Sequence, residues 1–104
     1  MTRTPRDGAI RLDATVRGRV QGVGFRYYVV KRATERGLTG WVANEPSGNV
    51  RCVAEGPVEA IDQLEEVLRR GPIGAVVDDV SVVRMPATGE FGGFSVRSGG
   101  HAGD

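Results

Sequence analysis

The sequence predicts an α+β sandwich, with two helices on one face of an antiparallel sheet of four or five strands. Three observations point there. Its periodic segments follow the order β-α-β-β-α-β with a short strand added at the end. The two middle strands are joined by a Pro/Gly turn, so they form a hairpin. Both helical segments carry a single apolar stripe, so each buries one side only.

Each element has its own signal. Residues 1–8, with Pro5 and Gly8, read as a flexible N-terminal tail. Ile10, Leu12, Ala14 and Val16 then alternate with Arg11, Asp13, Thr15 and Arg17, which makes a half-buried strand. A glycine-rich loop follows. From Phe25 to Arg36 the period changes: Phe25, Val29 and Ala33 recur every four residues, and Gly37 ends the helix at its C′ position. Leu38 to Asn44 is a second strand, Glu45-Pro46-Ser47-Gly48 a turn, and Asn49 to Glu55 a third strand. On that strand Val50, Cys52 and Ala54 share a face, while Glu55 reads as a strand-end surface charge. Gly56-Pro57 opens a second helix, with proline at its first position. Ala60, Ile61, Leu64, Val67 and Leu68 form its stripe; acids lie toward its start and Arg69 and Arg70 at its end, as the helix dipole favours. Gly71-Pro72 stops it. Val76 to Arg84 is a fourth strand and Phe94 to Arg97 a short fifth; residues 98–104 read as a C-terminal tail. The folded body is therefore 9–97, and its plan is the ferredoxin-like split βαβ. That plan serves enzymes, RNA binders and regulatory modules alike, so function has to come from particular residues.

Composition removes some classes. The net charge is +1, so no global pull toward nucleic acid or an anionic membrane is indicated. The third strand also lacks an aromatic residue on which a base could stack. No run approaches the roughly 18 apolar residues of a membrane span, and the N-terminus lacks the apolar stretch of a secretion signal. With Cys52 the only cysteine, no intrachain disulfide can form. A cytoplasmic monomer is the expectation. Thirteen of the fourteen basic residues are arginine, so an arginine means little outside its context.

The loop supplies that context. Gly18-Arg19-Val20-Gln21-Gly22-Val23-Gly24-Phe25-Arg26 runs from a strand into a helix. The first N–H groups of a helix have no internal partner, and its dipole adds positive charge. Gly22 and Gly24 permit a left-handed backbone and close approach of a ligand. Arg26, in the first turn, opposes the dipole unless an anion lies between them, and its planar fork suits a phosphoryl group. Taken alone, these features suit equally a tight turn beside a solvated arginine. Asn44 ends the second strand on the face shared with Gly40 and Val42. Its amide could donate to a phosphoryl oxygen while accepting from a water. An Asx bond that starts the turn is the plainer reading of that residue.

Spacing excludes several phosphoryl chemistries. No Gly-Lys pair exists for a nucleotide P-loop, and the dinucleotide fingerprint needs glycine where Tyr27 stands. A cysteine phosphatase needs arginine where Val58 stands, and Asp78-Asp79 lacks the spacing of an aspartyl pair. His101 lies in the tail, and no His/Cys cluster offers a metal site. An arginine, a backbone cradle and neutral amides remain. Without an evident general acid, such a site needs a leaving group that departs unprotonated, as the carboxylate of an acyl phosphate does.

The residues now reached resemble the acylphosphatase family. The resemblance rests on Gly18-x-Val20-Gln21-Gly22-Val23-x-Phe25-Arg26 and on Gly40-Trp41-Val42-Ala43-Asn44-x-x-x-Gly48-x-Val50 with Gly56 beyond. It extends from about Leu12 to Arg97, including Gly71-Pro72 and Pro86-Ala87-Thr88-Gly89-Glu90-Phe91. It implies hydrolysis of an acyl phosphate to a carboxylate and inorganic phosphate, with no metal and no cofactor. It also implies that Arg26 binds the phosphoryl group, that Asn44 orients the attacking water, and that the backbone of Gln21, Gly22, Val23, Gly24, Phe25 and Arg26 forms the cradle. Position 43, often basic in relatives, is Ala43 here, which would change surface charge near the site. A non-catalytic module that binds a phosphorylated metabolite is the alternative. Acylphosphatase-like domains also begin larger carbamoyl-transfer proteins; the chain carries no further domain, which favours a stand-alone enzyme. Trp41, Tyr27 and Tyr28 are expected to pack rather than bind, and Cys52 to be a small core residue.

Overall fold

The structure is a computed structural model that describes residues 8–97. Both expected tails, apart from Gly8, lie outside the described residues. Seven elements follow in the order β1 (Ala9–Arg19), α1 (Phe25–Glu35), β2 (Thr39–Asn44), β3 (Val50–Pro57), α2 (Val58–Arg70), β4 (Val76–Pro86) and β5 (Phe94–Val96).

The sheet runs in the order β4-β1-β3-β2-β5. Four strands pair antiparallel, as expected, but β5 lies parallel to β2, so the sheet is mixed. A parallel pair needs a long crossover, and here β3, α2 and β4 all lie between β2 and β5 in the chain. β1 and β2 both pair antiparallel with β3, one on each side. They therefore point the same way, and their C-terminal ends lie at one end of the sheet. The loop after β1 and the asparagine ending β2 meet there for this topological reason.

The alternation read from the sequence sets the register. Leu12 pairs with Ala54, Ala14 with Cys52 and Val16 with Val50; Val42 pairs with Cys52 across β2. These residues are fully buried and form the core with Phe25, Val29 and Ala33 of α1 and Ile61, Leu64 and Leu68 of α2. Cys52 sits among them, and burial pushes its thiol pKa well up, so it behaves as a small apolar residue. Both helices thus cover one face. The other face carries charge pairs, such as Arg51 donating twice to Asp13, at 3.0 and 2.7 Å.

The helix ends refine the expectations. α1 stops in a Schellman arrangement: Leu38 N–H donates to the Ala33 carbonyl, Gly37 N–H donates to that of Thr34, and Gly37 has φ 70°. Pro57 caps α2 from outside with an extended backbone, one position earlier than expected. Arg84 of β4 reaches Asp62 and Glu65 of α2, at 2.8 and 2.9 Å.

Three expectations about side chains are corrected. Glu55 is buried rather than a surface charge, because it pairs across the sheet with Arg11 and accepts bonds from Thr88 and Gly89. Tyr27 is 71% exposed and does not pack around α1; Tyr28 does, edge-on to Phe25 and donating to the Val67 carbonyl. Ala43 is buried, so it sets no surface charge.

Candidate active site

The loop between β1 and α1 begins with a distortion. β1 shifts register against β4 between Arg17 and Gly18. Gly18 is needed for closeness, since a methyl there would lie 2.1 Å from the Val76 carbonyl oxygen. This glycine of the first motif therefore packs the sheet and does not face a ligand. Gly22 and Gly24 differ. Both have φ 76°, and a Cβ on either would meet nothing within 4 Å, so the backbone there is left-handed and bare.

Gly24 is also the N-cap of α1, and no side chain caps that end. The first helical bond runs from Tyr28 N–H to the Gly24 carbonyl, so the N–H groups of Phe25, Arg26 and Tyr27 precede the ladder. No acidic residue stands in the first turn to complement the dipole. Arg26, the second residue of α1, is half-buried. An anion at this position would face the positive end of the helix, where no side chain caps the backbone.

The loop is backed by core and by a neighbouring turn. Phe25 anchors its end with 2% exposure. Gly71 lies so near that a methyl there would sit 3.2 Å from the ring atom Cε2 of Phe25. Gly74 adjoins Val23. The Gly71-Pro72 pair thus supports the loop from behind, a role that spacing alone did not disclose.

On the other side stands the end of β2. Asn44 pairs with Val50, which pairs with Val16 of β1, so the three lie in one row across the sheet. Neighbouring strands are spaced about 4.8 Å apart, so β1 and β2 are roughly 10 Å apart in this row. The Gln21 side chain spans the gap. Its amide nitrogen donates to the Glu45 carbonyl and to the Asn49 carbonyl, each at 2.8 Å. The loop and the turn after Asn44 are therefore joined directly. The Oδ1 of Asn44 is buried and has no hydrogen-bond donor among the described residues. The Asx bond that would make this residue a mere turn starter is not formed through that oxygen.

Trp41, on the opposite face, lies between two guanidinium groups: Arg97 at 4.3 Å and Arg51 at 5.6 Å from the ring centre. It packs the outer face of the sheet, as expected, and lies on the side of β2 away from Asn44. Among the described residues, no three His, Cys, Asp or Glu side chains gather where they could hold a metal ion.

The chain is thus a ferredoxin-like α+β sandwich, in which a helix start without a side-chain cap, a bare glycine loop and an arginine in the first turn lie at the same sheet end as an unsatisfied amide oxygen. Comparison with known proteins narrows the class. Residues 12–96 match the family model for acylphosphatase. An acylphosphatase of Nocardia farcinica is 45% identical over 100 residues, covering 93% of this chain and all of the relative. One from Salinibacter ruber is 47% identical over 87 residues, covering 84% of this chain and 92% of the relative. The crystal structure of acylphosphatase from Bacillus subtilis superposes with a TM-score of 0.82 at 39% identity, covering 85% of this chain and 98% of that one. The chain belongs to the acylphosphatase family. It is an enzyme that hydrolyses acyl phosphates to a carboxylate and inorganic phosphate.

Proposed function

We propose that the phosphoryl group rests in the loop from Gln21 to Arg26, held by the backbone of Gln21, Gly22, Val23, Gly24, Phe25 and Arg26 and by the Arg26 guanidinium, and that Asn44 orients the attacking water. The oxygen of that water forms a bond to phosphorus as the bond from phosphorus to the acyl oxygen breaks. The electron pair leaves with the acyl oxygen, producing a carboxylate, and the water's proton passes to a phosphoryl oxygen. Loose phosphoryl transfer of this kind asks mainly for positioning and for charge stabilisation at the equatorial oxygens. A guanidinium and a set of fixed N–H groups provide both. Because the carboxylate is a good leaving group, no general acid is required. The donor set consists of a guanidinium, an amide and backbone N–H groups, none of which calls for a metal ion.

The observation that carries this reading is the buried, unsatisfied Oδ1 of Asn44 at a strand end tied to the loop. A buried acceptor without a donor costs stability, and a water held there for attack gives the cost a use. The deciding experiment is hydrolysis of benzoyl phosphate, with EDTA present, by wild type, Arg26→Ala and Asn44→Ala. Arg26→Ala should lose most activity and also weaken inhibition by phosphate. Asn44→Ala should lower kcat by roughly 10²-fold while phosphate inhibition changes little. Wild-type turnover by either variant would remove that residue from the mechanism, and loss of wild-type activity in EDTA would overturn metal independence.

Two further readings go with this one. The enzyme acts as a monomer: its exposed large apolar residues, Tyr27, Val58, Ile73, Val76 and Val83, are spread over several elements. It works in the cytoplasm, where its lone buried thiol needs no oxidising environment. No helix among the described residues is long and apolar enough to cross a membrane. Sedimentation and cell fractionation test the two.

A further inference from the structure

We infer that the Gln21 side chain is a positioning residue, which acts through Asn44 by clamping the phosphate loop to the β2–β3 turn, and that it is not itself a phosphate ligand. The inference rests on the assignment of Asn44 to the water.

Both partners of the Gln21 amide are carbonyl oxygens, so the group must present its NH2 side to them. An NH2 has two hydrogens, and each is directed to one carbonyl at 2.8 Å. No N–H of this side chain is left for a phosphoryl oxygen. The two acceptors are the carbonyls of the residues that bracket the turn. Glu45 N–H donates to the Asn49 carbonyl at 2.9 Å, and Gly48 N–H donates to the Glu45 carbonyl at 3.0 Å. The turn thus closes on its own bonds, and Gln21 uses the second lone pair of each oxygen.

This arrangement separates positioning from folding. Without Gln21 the turn keeps its own bonds and β2 keeps its pairing with β3 through Asn44 and Val50. What is lost is the direct link between Glu45, the neighbour of Asn44, and the loop that holds the phosphoryl group. A two-bond clamp from a single planar amide also sets orientation, since both carbonyls must lie near the amide plane. In-line attack is sensitive to this geometry, and a displacement of about 1 Å can cost on the order of 10²-fold in rate.

The test is a double-mutant cycle on benzoyl phosphate hydrolysis, using Gln21→Met, which keeps the length of the side chain without its donors, and Gln21→Ala as a second form. Circular dichroism and thermal unfolding first establish that each variant folds. Either variant should lower kcat by roughly 10- to 100-fold, with the inhibition constant of inorganic phosphate within about threefold of wild type. Combined with Asn44→Ala, it should add no more than about twofold to the loss caused by Asn44→Ala alone, because both act on one water. Losses that multiply, a phosphate affinity that falls as far as kcat, or an unchanged kcat would each overturn the inference. So would failure of both variants to fold, since the role would then be structural. If Asn44→Ala itself retains wild-type kcat, the assignment of the water fails. If Asn44→Ala is slow and Gln21→Met is not, only the clamp fails.

Discussion

Replacing Glu55 with glutamine should make the protein less stable at neutral pH and leave it nearly unchanged in acid. The carboxylate is 5% exposed. It accepts from Arg11 Nε at 2.6 Å, Thr88 N–H at 3.0 Å, Thr88 Oγ1 at 2.9 Å and Gly89 N–H at 2.9 Å. Burial by itself would raise its pKa. The two backbone N–H groups, with Arg11 and the Thr88 hydroxyl, outweigh that and hold it at about 2, against an ordinary value of 4.5. A depression of that size corresponds to roughly 3 kcal/mol of stability at pH 7. Because the folded pKa is the lower one, the stabilisation is complete above the unfolded value of 4.5 and is lost as pH falls toward 2. Glutamine has the shape of the protonated acid, so Glu55→Gln should resemble wild type at low pH. Urea unfolding of both proteins measures this. The gap should be about 3 kcal/mol at pH 7 and about half that at pH 3. A gap that does not change with pH, or one below about 1 kcal/mol at pH 7, would refute the argument.

Arg26→Lys should lose activity almost as fully as Arg26→Ala, by roughly 10²-fold in kcat on benzoyl phosphate, because a point charge cannot supply a planar two-bond fork. Gly40→Ala and Gly22→Ala separate two uses of glycine. A methyl on Gly40 would lie 1.9 Å from the Val53 carbonyl oxygen, so that variant should unfold at much lower urea or fail to fold. Gly22 has open space, so Gly22→Ala should cost only the left-handed strain of about 1–2 kcal/mol and show its larger effect on phosphate inhibition. Equal urea midpoints for the two variants would contradict the distinction.

The legible parts of the fold were those with a period. Alternation over Ile10 to Val16 and over Val50 to Ala54 marked the buried faces, and four-residue spacing of Phe25, Val29 and Ala33 marked the inner side of α1. Gly37 carries a conformational signature, which located the end of α1. The direction of β5 left no such mark, since a three-residue strand pairs as its approach dictates. Glu55 was misread for a related reason. A charge at a strand end resembles solvent-facing charge, and only register places Arg11 opposite it and brings Thr88 and Gly89 over it. Within the candidate site, Gly22, Gly24 and Arg26 stand out by residue type. Gln21 does not, because its partners are backbone carbonyls more than 20 residues away, and no side-chain pattern encodes them.

The same geometry explains why the second motif runs past Asn44 into a strand without a proposed site residue. β3 is the spacer of the site. Val50 pairs on one side with Val16, near the end of β1, and on the other with Asn44. A slip of one residue in either pairing would turn Asn44 to the opposite face or move it along the sheet by about 3.4 Å. Gly48, with φ 99°, closes the turn that starts β3 in register, and Val50 is fully buried at the crossing point. Gly40, where no methyl fits beside β3, holds the other end of β2 against it. None of these is a proposed site residue, yet each limits where the amide of Asn44 can stand relative to the loop. The pairing through β3 sets that distance from beneath, and the Gln21 clamp sets it from above.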